Sequence, residues 1–542
     1  MCAWEIGRAS TGLGTKVGGL GSVVEELPRE LVKAAAAQGV ELEIEILSPC
    51  FAHYDRSRLR KLDIQLPVEC GGHAFSYEAY EHVFDDGQRA IYFWDDFQLS
   101  WTSASHIYPS DPQFAIARYA TVSQAMAGYI RQRGFDTVHL HDYHVGLVPF
   151  YLDLDSPNPV PAHLTIHNAT YQGETELIGG GYSSLDRIAL PGWKVFHQYF
   201  DHNNRLNLMK ACMIRVNEIG GKITTVSGDL AASWGYAAEL RENYASIWSR
   251  AYAQKGSAPV SVFVPNGGLD VFERIPVAGI TNGLSARDHA FDNGALDAKD
   301  ELKRKLHLAA FGAEPVWDPI VLTVVGRLVE QKNLGLVADV IDRVFSYDPG
   351  VKLAVMASPG DQAGRADQQR FADAAKRHPG RICFNPGFDH PLSRLILAGG
   401  DFCLIPSRFE PCGLVDYEAS IVGNIVIGRA TGGLVKVRHC AYLYEWLDIG
   451  DRAGELTAFW WAIKAAIDTY RHGRKYHQQM MRTAMAIDSS WDSAARDYVE
   501  MYRYGLAARK WREVRREFAD SFREKLGDDA RLFGGAIDRL LV

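Results

Sequence analysis

The chain has 542 residues, more than one hydrophobic core usually serves, so two large domains are expected. Its composition, 47% hydrophobic and 23% charged, is that of a folded globular protein and excludes a chain dominated by disorder. The formal charge is −8, from 58 basic and 66 acidic residues, and the basic residues are dispersed, which argues against nucleic acid and membrane as partners.

The sequence predicts a soluble, cytoplasmic protein. Residues 1–20 lack the apolar core of a signal peptide, and no later stretch reaches the roughly 20 apolar residues of a membrane span. The eight cysteines show no close CxxC pairing and several lie in apolar runs, so we expect reduced thiols in a reducing compartment.

Short apolar runs separated by helical patterns predict an α/β fold with parallel sheets covered on both faces. In the first half the runs are 42–46, 90–94, 137–140, 162–166 and 223–226. In the second half they are 320–325, 351–357, 381–384, 401–405 and 424–427. A polar, small-residue stretch up to residue 299 separates the two sets and is typical of a linker.

These patterns predict Rossmann-like domains at 1–285 and 286–494, followed by a charged helical segment at 495–542 that packs back on the first domain. Two such sheets are expected to face a central cleft lined by the carboxyl ends of strands, where ligands bind in open α/β sheets. The mixed charges of 509–523 indicate a solvated helix face, with a homo-oligomer contact as the alternative.

The first candidate loop, 15–21, precedes the helix that starts near Leu20. Glycines at 18 and 19 would let the backbone approach a phosphate, and Lys16 adds positive charge. The order of residues matches neither a Walker loop nor a GxGxxG fingerprint, so a plain turn before the helix is an equal alternative.

The second candidate loop contains three histidines in the run HLHDYH, at 139–144, and is followed by His167 after the next strand. Asp142 and His167 could reach sugar hydroxyls from one wall of a binding site. Histidines that only hydrogen-bond at strand ends are the alternative. A zinc site is a weaker one, because the spacing is irregular and no Cys or Glu completes a ligand set.

Two further loops lie in the second half. Arg327 and Lys332, in GRLVEQK, can converge on one anion such as a diphosphate, unless they are ordinary surface charges. Glu410 and Gly413, in PSRFEPCGL, could grip sugar or ribose hydroxyls while backbone N–H groups hold phosphate.

Together these loops resemble the motifs of glycogen and starch synthases, retaining glucosyltransferases with the GT-B fold. The matching runs, in the family's order, are KVGGLGSVVEELPREL, HLHDYH, TIHNATYQG, GRLVEQK, PSRFEPCGL and TGGL. The resemblance extends from Trp4 to about Tyr502, and RFEPCGL is its most specific part.

The resemblance implies transfer of glucose from a nucleotide sugar, ADP-glucose or UDP-glucose, to an α-1,4-glucan without a metal or other cofactor. It implies catalytic roles for His167, Asp142, Glu410, Arg327 and Lys332. It implies substrate contacts for Glu5, Lys16, Gly18, Gly19, Tyr143, Asn168, Asn282, Phe388, Cys412, Gly413, Leu414 and Glu418, with Glu418 a ribose ligand and Asn282 at the hinge.

The sequence departs from the family pattern at several points. Tyr143 replaces a Trp, and Phe388 stands where a Tyr would often stack on the base, so the choice of base stays open. Val415 and Asp416 replace Thr-Gln, and TGGL is followed by Val-Lys-Val, with Lys436 in its middle, rather than Asp-Thr-Val. A different acceptor, a non-catalytic glucan-binding homologue and a phosphorylase with pyridoxal phosphate are the alternatives.

Overall fold

The computed structural model describes residues 1–15, 17–103, 106–229, 231–241, 275–284, 296–315, 318–387, 389–446, 448 and 450–526. They divide into two compact units. The first unit contains the described residues of 1–225, 275–280 and 492–526, and the second unit contains those of 226–241 and 281–491.

Strands and helices alternate through the described part of residues 1–280. The strands are β1 (Glu45–Pro49), β2 (Arg60–Lys61), β3 (Leu66–Cys70), β4 (His73–Val83), β5 (Arg89–Trp94), β6 (Val138–His141), β7 (Ala162–Ile166), β8 (Glu174–Glu176), β9 (Asp201–His202), β10 (Arg205–Asn207), β11 (Ile223–Thr225) and β12 (Val277–Gly279). The helices are α1 (Gly19–Ala37), α2 (Pro112–Arg133), α3 (Val148–Asp153), α4 (Gly181–Asp186), α5 (Gly192–Val195), α6 (Leu208–Glu218) and α7 (Gly235–Arg241).

The remaining elements follow the same alternation and end in three helices. The strands are β13 (Ile320–Leu328), β14 (Val351–Pro359), β15 (Ile382–Asn385), β16 (Phe402–Ile405), β17 (Ile425–Arg429) and β18 (Tyr442–Tyr444). The helices are α8 (Leu296–Phe311), α9 (Gly335–Tyr347), α10 (Gln362–Arg377), α11 (His390–Gly399), α12 (Val415–Ser420), α13 (Arg452–His472), α14 (Arg474–Met485) and α15 (Asp492–Leu526).

The sheet of the first unit has a parallel part and an antiparallel extension. Strands β12, β11, β7 and β6 are parallel neighbours, and β1 pairs in parallel with β5. Cys2 bridges the two groups, since it pairs in parallel with Leu47 of β1 and Leu140 of β6. A single buried residue near the start of the chain therefore completes the sheet.

The antiparallel extension was not predicted from the sequence. β4 pairs antiparallel with β5, β3 and β2. Gly71 and Gly72 form the two-residue turn between β3 and β4 with φ of +61° and +77°, a left-handed pair that glycine adopts without strain. The parallel sheet predicted for this half of the chain therefore carries an additional antiparallel edge.

The second unit is built on one parallel sheet in the order β15-β14-β13-β16-β17-β18. β16 and β17 are buried along their whole length, and β13 from Ile320 to Val324, so their sequences are largely apolar. Because β13 and β16 are neighbours, the loops that follow them begin at adjacent points of the same edge. This edge carries the GRLVEQK and PSRFEPCGL motifs.

Two segments pack away from their neighbours in sequence. The last helix, α15, packs against α1 and β7 of the first unit. Segment 226–241, predicted in the first domain, belongs to the second unit, where α7 contacts the 3-10 helix Gly432–Cys440. The predicted boundary at residue 285 lies outside the described residues. Over the described part of the chain, we find no helix with the length and apolarity that crossing a bilayer requires.

Candidate active site

The glycine loop of the first unit is held by Glu5. This carboxylate is buried, and it accepts hydrogen bonds from the N–H groups of Val17 (3.0 Å) and Gly21 (3.1 Å). Gly18 precedes α1 in extended conformation, and Gly19 opens the helix with no atom within 4 Å of where a Cβ would stand. Glu5 thus positions the loop, and the backbone at Gly19 is open to approach. Lys16 lies outside the described residues.

Asp142 follows β6 in a backbone conformation that non-glycine residues rarely adopt, with φ of +62° and ψ of 175°. Its Oδ1 accepts a 2.7 Å hydrogen bond from the N–H of His167, which ties together the loops after β6 and β7. Burial raises the pKa of Asp142 to about 7, although hydrogen bonds from the backbone at His167 and Asn168 oppose the rise. The carboxyl therefore changes protonation near neutral pH.

The histidines of this edge form hydrogen bonds with one another and with hydroxyl groups. His141 Nδ1 lies 2.9 Å from His167 Nε2, and His139 contacts the hydroxyls of Thr165 and Tyr502, each at 2.8 Å. Burial lowers the pKa of His167 to about 3 and that of His141 well below its usual value. Both rings are neutral near pH 7, so His167 carries no positive charge to a ligand.

The aromatic wall beside these histidines includes Tyr143. Its ring lies 3.9 Å from that of His144, centre to centre, and packs so closely on Gly173 that a Cβ there would approach to 2.5 Å. Asn168 is half-buried, and its Oδ1 accepts a hydrogen bond from the N–H of Thr170. Among the residues that the structure describes, no three His, Cys, Asp or Glu side chains are grouped as metal ligands.

In the second unit, the loops after β13 and β16 meet through an ion pair. Lys332 Nζ lies 2.5 Å from Glu410 Oε2, which also accepts a hydrogen bond from the Ser407 hydroxyl at 3.1 Å. Glu410 is 5% exposed, so the charge of its carboxylate is compensated by the Lys332 ammonium group rather than by hydration. Arg327 is exposed at the end of β13, without a hydrogen bond or ion pair to any described residue.

The PSRFEPCGL and TGGL loops pack backbone to backbone. The N–H of Gly433 donates to the carbonyl of Glu410 at 2.7 Å, and a Cβ on Gly433 would come within 1.9 Å of the Cys412 carbonyl oxygen. Glu239 of α7 accepts hydrogen bonds from the Gly432 N–H and the Thr431 hydroxyl, at 2.5 and 3.1 Å. Only glycine permits this approach.

Most of the other site residues predicted in the second unit lie close to the contact between the PSRFEPCGL and TGGL loops. The Cys412 thiol is 4.0 Å from the carbonyl oxygen of the buried Asn282. Gly413 has a φ of +74°, which glycine adopts without strain, and Leu414 immediately precedes α12. Glu418 is half-buried on α12, and its N–H bonds to the Leu414 carbonyl. Phe388 lies outside the described residues.

Comparison with known proteins identifies the kind of enzyme. Residues 1–242 match the family model described as the starch synthase catalytic domain. Glycogen synthase of Anaeromyxobacter sp. is 29% identical over 91% of this chain and 97% of its own length. Glycogen synthase of Streptococcus gordonii is 27% identical over 90% and 96%. The chain is a glycosyltransferase similar in sequence to the glycogen and starch synthases.

Solved structures confirm the GT-B fold predicted for this glycosyltransferase. The catalytic domain of starch synthase IV from Arabidopsis thaliana, solved with ADP and acarbose, superposes with a TM-score of 0.71 at 23% identity, over 93% of this chain and 98% of the other. Sucrose-phosphate synthase from Thermosynechococcus elongatus gives 0.51 at 14% identity, over 91% and 95%.

Sequence reasoning missed some residues that contact the predicted site residues or their loops. Ser407 lies inside a motif that was recognised, so its place after β16 was a usable signal. Glu239 gave no signal, because nothing in the sequence links α7 to a loop almost two hundred residues later. Asp416 and Lys436 were noticed only as departures from the family pattern, and the structure places them in one ion pair.

Proposed function

We propose that the enzyme transfers glucose from a nucleotide sugar to the non-reducing end of an α-1,4-glucan with retention of the α-configuration. ADP-glucose is the favoured donor and UDP-glucose the alternative. Support comes from the motif order, from the glycogen synthases among its relatives and from the ADP bound to the starch synthase of similar fold. The proposal requires no metal or other cofactor and places the reaction in the cytoplasm.

The observation that carries the proposal is the cluster of Arg327, Lys332 and Glu410 at adjacent strand ends. Arg327 is exposed and Lys332 is half-buried, so both can turn toward a diphosphate, while the buried Glu410 holds the lysine in place. Guanidinium and ammonium groups stabilise the charge that develops on a departing phosphate. In the proposal, the ion pair keeps the Lys332 ammonium group near the diphosphate, and Glu410 also contacts the donor sugar.

In the proposed reaction, the acceptor 4-hydroxyl oxygen forms a bond to C1 of the donor glucose. The bond between C1 and the phosphate oxygen breaks on the same face, which retains the configuration. The hydroxyl proton passes to the departing diphosphate, so that the step is balanced without another reactant. Arg327 and Lys332 lower the barrier by stabilising the negative charge that develops on the leaving group.

Asp142 and His167 are proposed to contact the donor glucose. The Asp142 carboxylate already accepts hydrogen bonds from the backbone at His167 and Asn168, and it is proposed to accept from a sugar hydroxyl through a remaining lone pair. The neutral His167 ring can orient a hydroxyl but adds no charge at the reacting carbon. Its backbone carbonyl follows β7 and is proposed to stabilise the oxocarbenium-like centre.

The proposal is tested by measuring incorporation of radiolabelled glucose into glycogen or maltooligosaccharide from ADP-glucose and from UDP-glucose. Arg327→Ala and Lys332→Ala should each lower turnover by on the order of 10²-fold, the typical cost of one preorganised group that stabilises developing charge. Arg327→Ala should leave the thermal unfolding temperature unchanged, because the side chain is exposed and contacts no described partner. Lys376→Ala, on the exposed face of α10, is the control and should retain full activity.

Assays with the two donors distinguish a glucan synthase from an enzyme with a different acceptor and from a non-catalytic glucan-binding protein. Transfer that both variants lose, with the control unaffected, establishes the synthase reaction and names the donor. Hydrolysis of a donor without transfer to glucan would indicate a different acceptor. Binding of glycogen without turnover of either donor would contradict the proposal and favour a non-catalytic glucan-binding protein.

A further inference from the structure

The second unit contains a buried ion pair beside the loop that the proposed function assigns to the donor. Lys436 Nζ lies 2.5 Å from Asp416 Oδ2, and the two side chains are 3% and 0% exposed. Asp416 is on α12, and Lys436 is in the 3-10 helix Gly432–Cys440, which begins within TGGL. Two positions that depart from the family pattern are therefore partners in space.

The ammonium group of Lys436 also binds the backbone of both loops. It donates to the carbonyls of Cys412 (2.6 Å), Gly413 (2.7 Å) and Gly433 (3.2 Å). Its charge rests against the ring of Tyr417 at 4.4 Å. A desolvated lysine with this many acceptors is held in a single position, and it fixes the carbonyls that it binds.

Fixing these carbonyls also fixes the direction of the neighbouring N–H groups. In a trans peptide the C=O and the N–H point to opposite sides, so the N–H groups of Gly413 and Leu414 face away from Lys436. No hydrogen bond from either N–H to another described residue occurs. These are the backbone groups that the resemblance places against the donor.

The pair also explains the shape of the loop at Gly413. Asp416 Oδ1 has no hydrogen-bond partner among the described residues, and a Cβ on Gly413 would come within 2.9 Å of it. With a φ of +74°, Gly413 can fold over the carboxylate as no other residue could without strain. The loop, α12 and the TGGL segment are thus locked around one pair of charges.

We propose that Asp416 and Lys436 form a positioning pair that orients the peptide groups of Cys412–Leu414 toward the diphosphate and sugar of the nucleotide-sugar donor. The pair acts through the backbone and does not itself touch substrate. The identity of the ligand in this proposal rests on the proposed function. Its specific consequence is that the pair determines affinity for the donor and not for the glucan.

The test compares Lys436→Met, Lys436→Gln, Asp416→Asn and the double variant Asp416→Asn/Lys436→Met in the full-length enzyme. Lys436→Met should raise the donor KM, and the Kd for ADP or UDP alone, by about tenfold or more, because a small misplacement of binding groups is costly. The acceptor KM should stay within about twofold of the parent's, since the acceptor does not contact this loop in the proposal. Lys436→Gln keeps two N–H donors for the carbonyls and should recover part of the affinity.

The matched control is a second buried ion pair of the same unit. Lys303 Nζ lies 3.0 Å from Asp401 Oδ2, at 8% and 7% exposure, but Asp401 precedes β16 and so lies at the opposite end of the strand. Lys303→Met removes a comparable buried charge. It should lower the thermal unfolding temperature as much as Lys436→Met does, while the donor KM and the Kd for ADP or UDP remain those of the parent.

The possible outcomes test the positioning role of the pair separately from the proposed function. Selective loss of donor affinity in Lys436→Met, with a smaller effect in Asp416→Asn and non-additive effects in the double variant, supports it. Equal effects on donor and acceptor KM, or loss of donor affinity in Lys303→Met as well, would overturn it and leave the pair a purely structural one. A parent enzyme that binds ADP or UDP but transfers no glucose would contradict the proposed function alone, because the nucleotide Kd still tests the pair.

Discussion

At the scale of single residues, Asp142 combines backbone strain with a carboxyl that ionises near neutral pH. Its folded pKa is raised by burial from 3.8 to about 7, so the folded protein holds a proton that the unfolded chain releases. Stability from this group is fully present below pH 3.8 and is lost as pH rises to about 7, at about 1.4 kcal/mol per pH unit. The ionised form, however, is the one expected to accept from a sugar hydroxyl.

We therefore predict opposite pH trends for stability and activity at this residue. Relative to the parent, Asp142→Asn should gain thermal stability between pH 4 and pH 7 and keep that gain above pH 7. The parent's kcat/KM should rise with an apparent pKa near 7, and the variant should lose that ionisation. Melting temperatures and initial rates between pH 5 and pH 8.5 test both trends. An unchanged pH profile in Asp142→Asn would assign the ionisation to another group.

At the scale of structural elements, the glycines of TGGL determine how closely two loops approach. Gly433→Ala should place a methyl group 1.9 Å from the Cys412 carbonyl oxygen and push the loops apart. We expect a loss of about 1–3 kcal/mol, typical of overpacking against backbone, together with weaker donor binding. Gly326→Ala is the control, since its Cβ would meet no atom within 4 Å. Thermal unfolding of both variants tests this, and an unaltered melting temperature in Gly433→Ala would contradict it.

The sequence predicted elements best where local pattern and burial agree. The runs at 90–94, 162–166 and 401–405 became β5, β7 and β16, because strands buried on both faces are largely apolar. The antiparallel β4 was missed, because its outer residues are polar and its pairing depends on the turn at Gly71 and Gly72. Register between distant loops has no local signal, so the contact of Glu239 with Gly432 needed the structure.

For the candidate site, the sequence identified individual residues, and the structure was needed for their contacts. Motif resemblance located Lys332 and Glu410, and the structure adds that they form one ion pair. The resemblance implies a substrate contact for Glu5, whereas the structure shows this carboxylate accepting hydrogen bonds from N–H groups of the glycine loop. Resemblance names which residues are used, whereas partners and protonation depend on burial, which the sequence does not specify. The roles of these residues toward substrate remain predictions.

At the scale of the whole molecule, the chain ends by returning to the unit in which it began. α15 brings Tyr502 within 2.8 Å of His139 and places Gly505 against His163, where a Cβ would lie 2.5 Å from the ring. Arg512 donates to the carbonyl of Ile219 at 2.9 Å. Contacts of the first unit are therefore supplied by residues that follow the second unit in sequence.

We predict that Gly505→Val destabilises the first unit selectively. The added side chain would collide with His163 and lift α15 from β7, so amide hydrogen exchange should accelerate in peptides of β6, β7 and α1 while those of β13 and β16 remain protected. Leu506→Ala is the matched control, because this neighbour is 40% exposed and its loss should change neither set of peptides. Faster exchange in both units would instead mean that the two unfold as one cooperative body, and unchanged exchange in β6 and β7 would mean that α15 contributes little to the first unit.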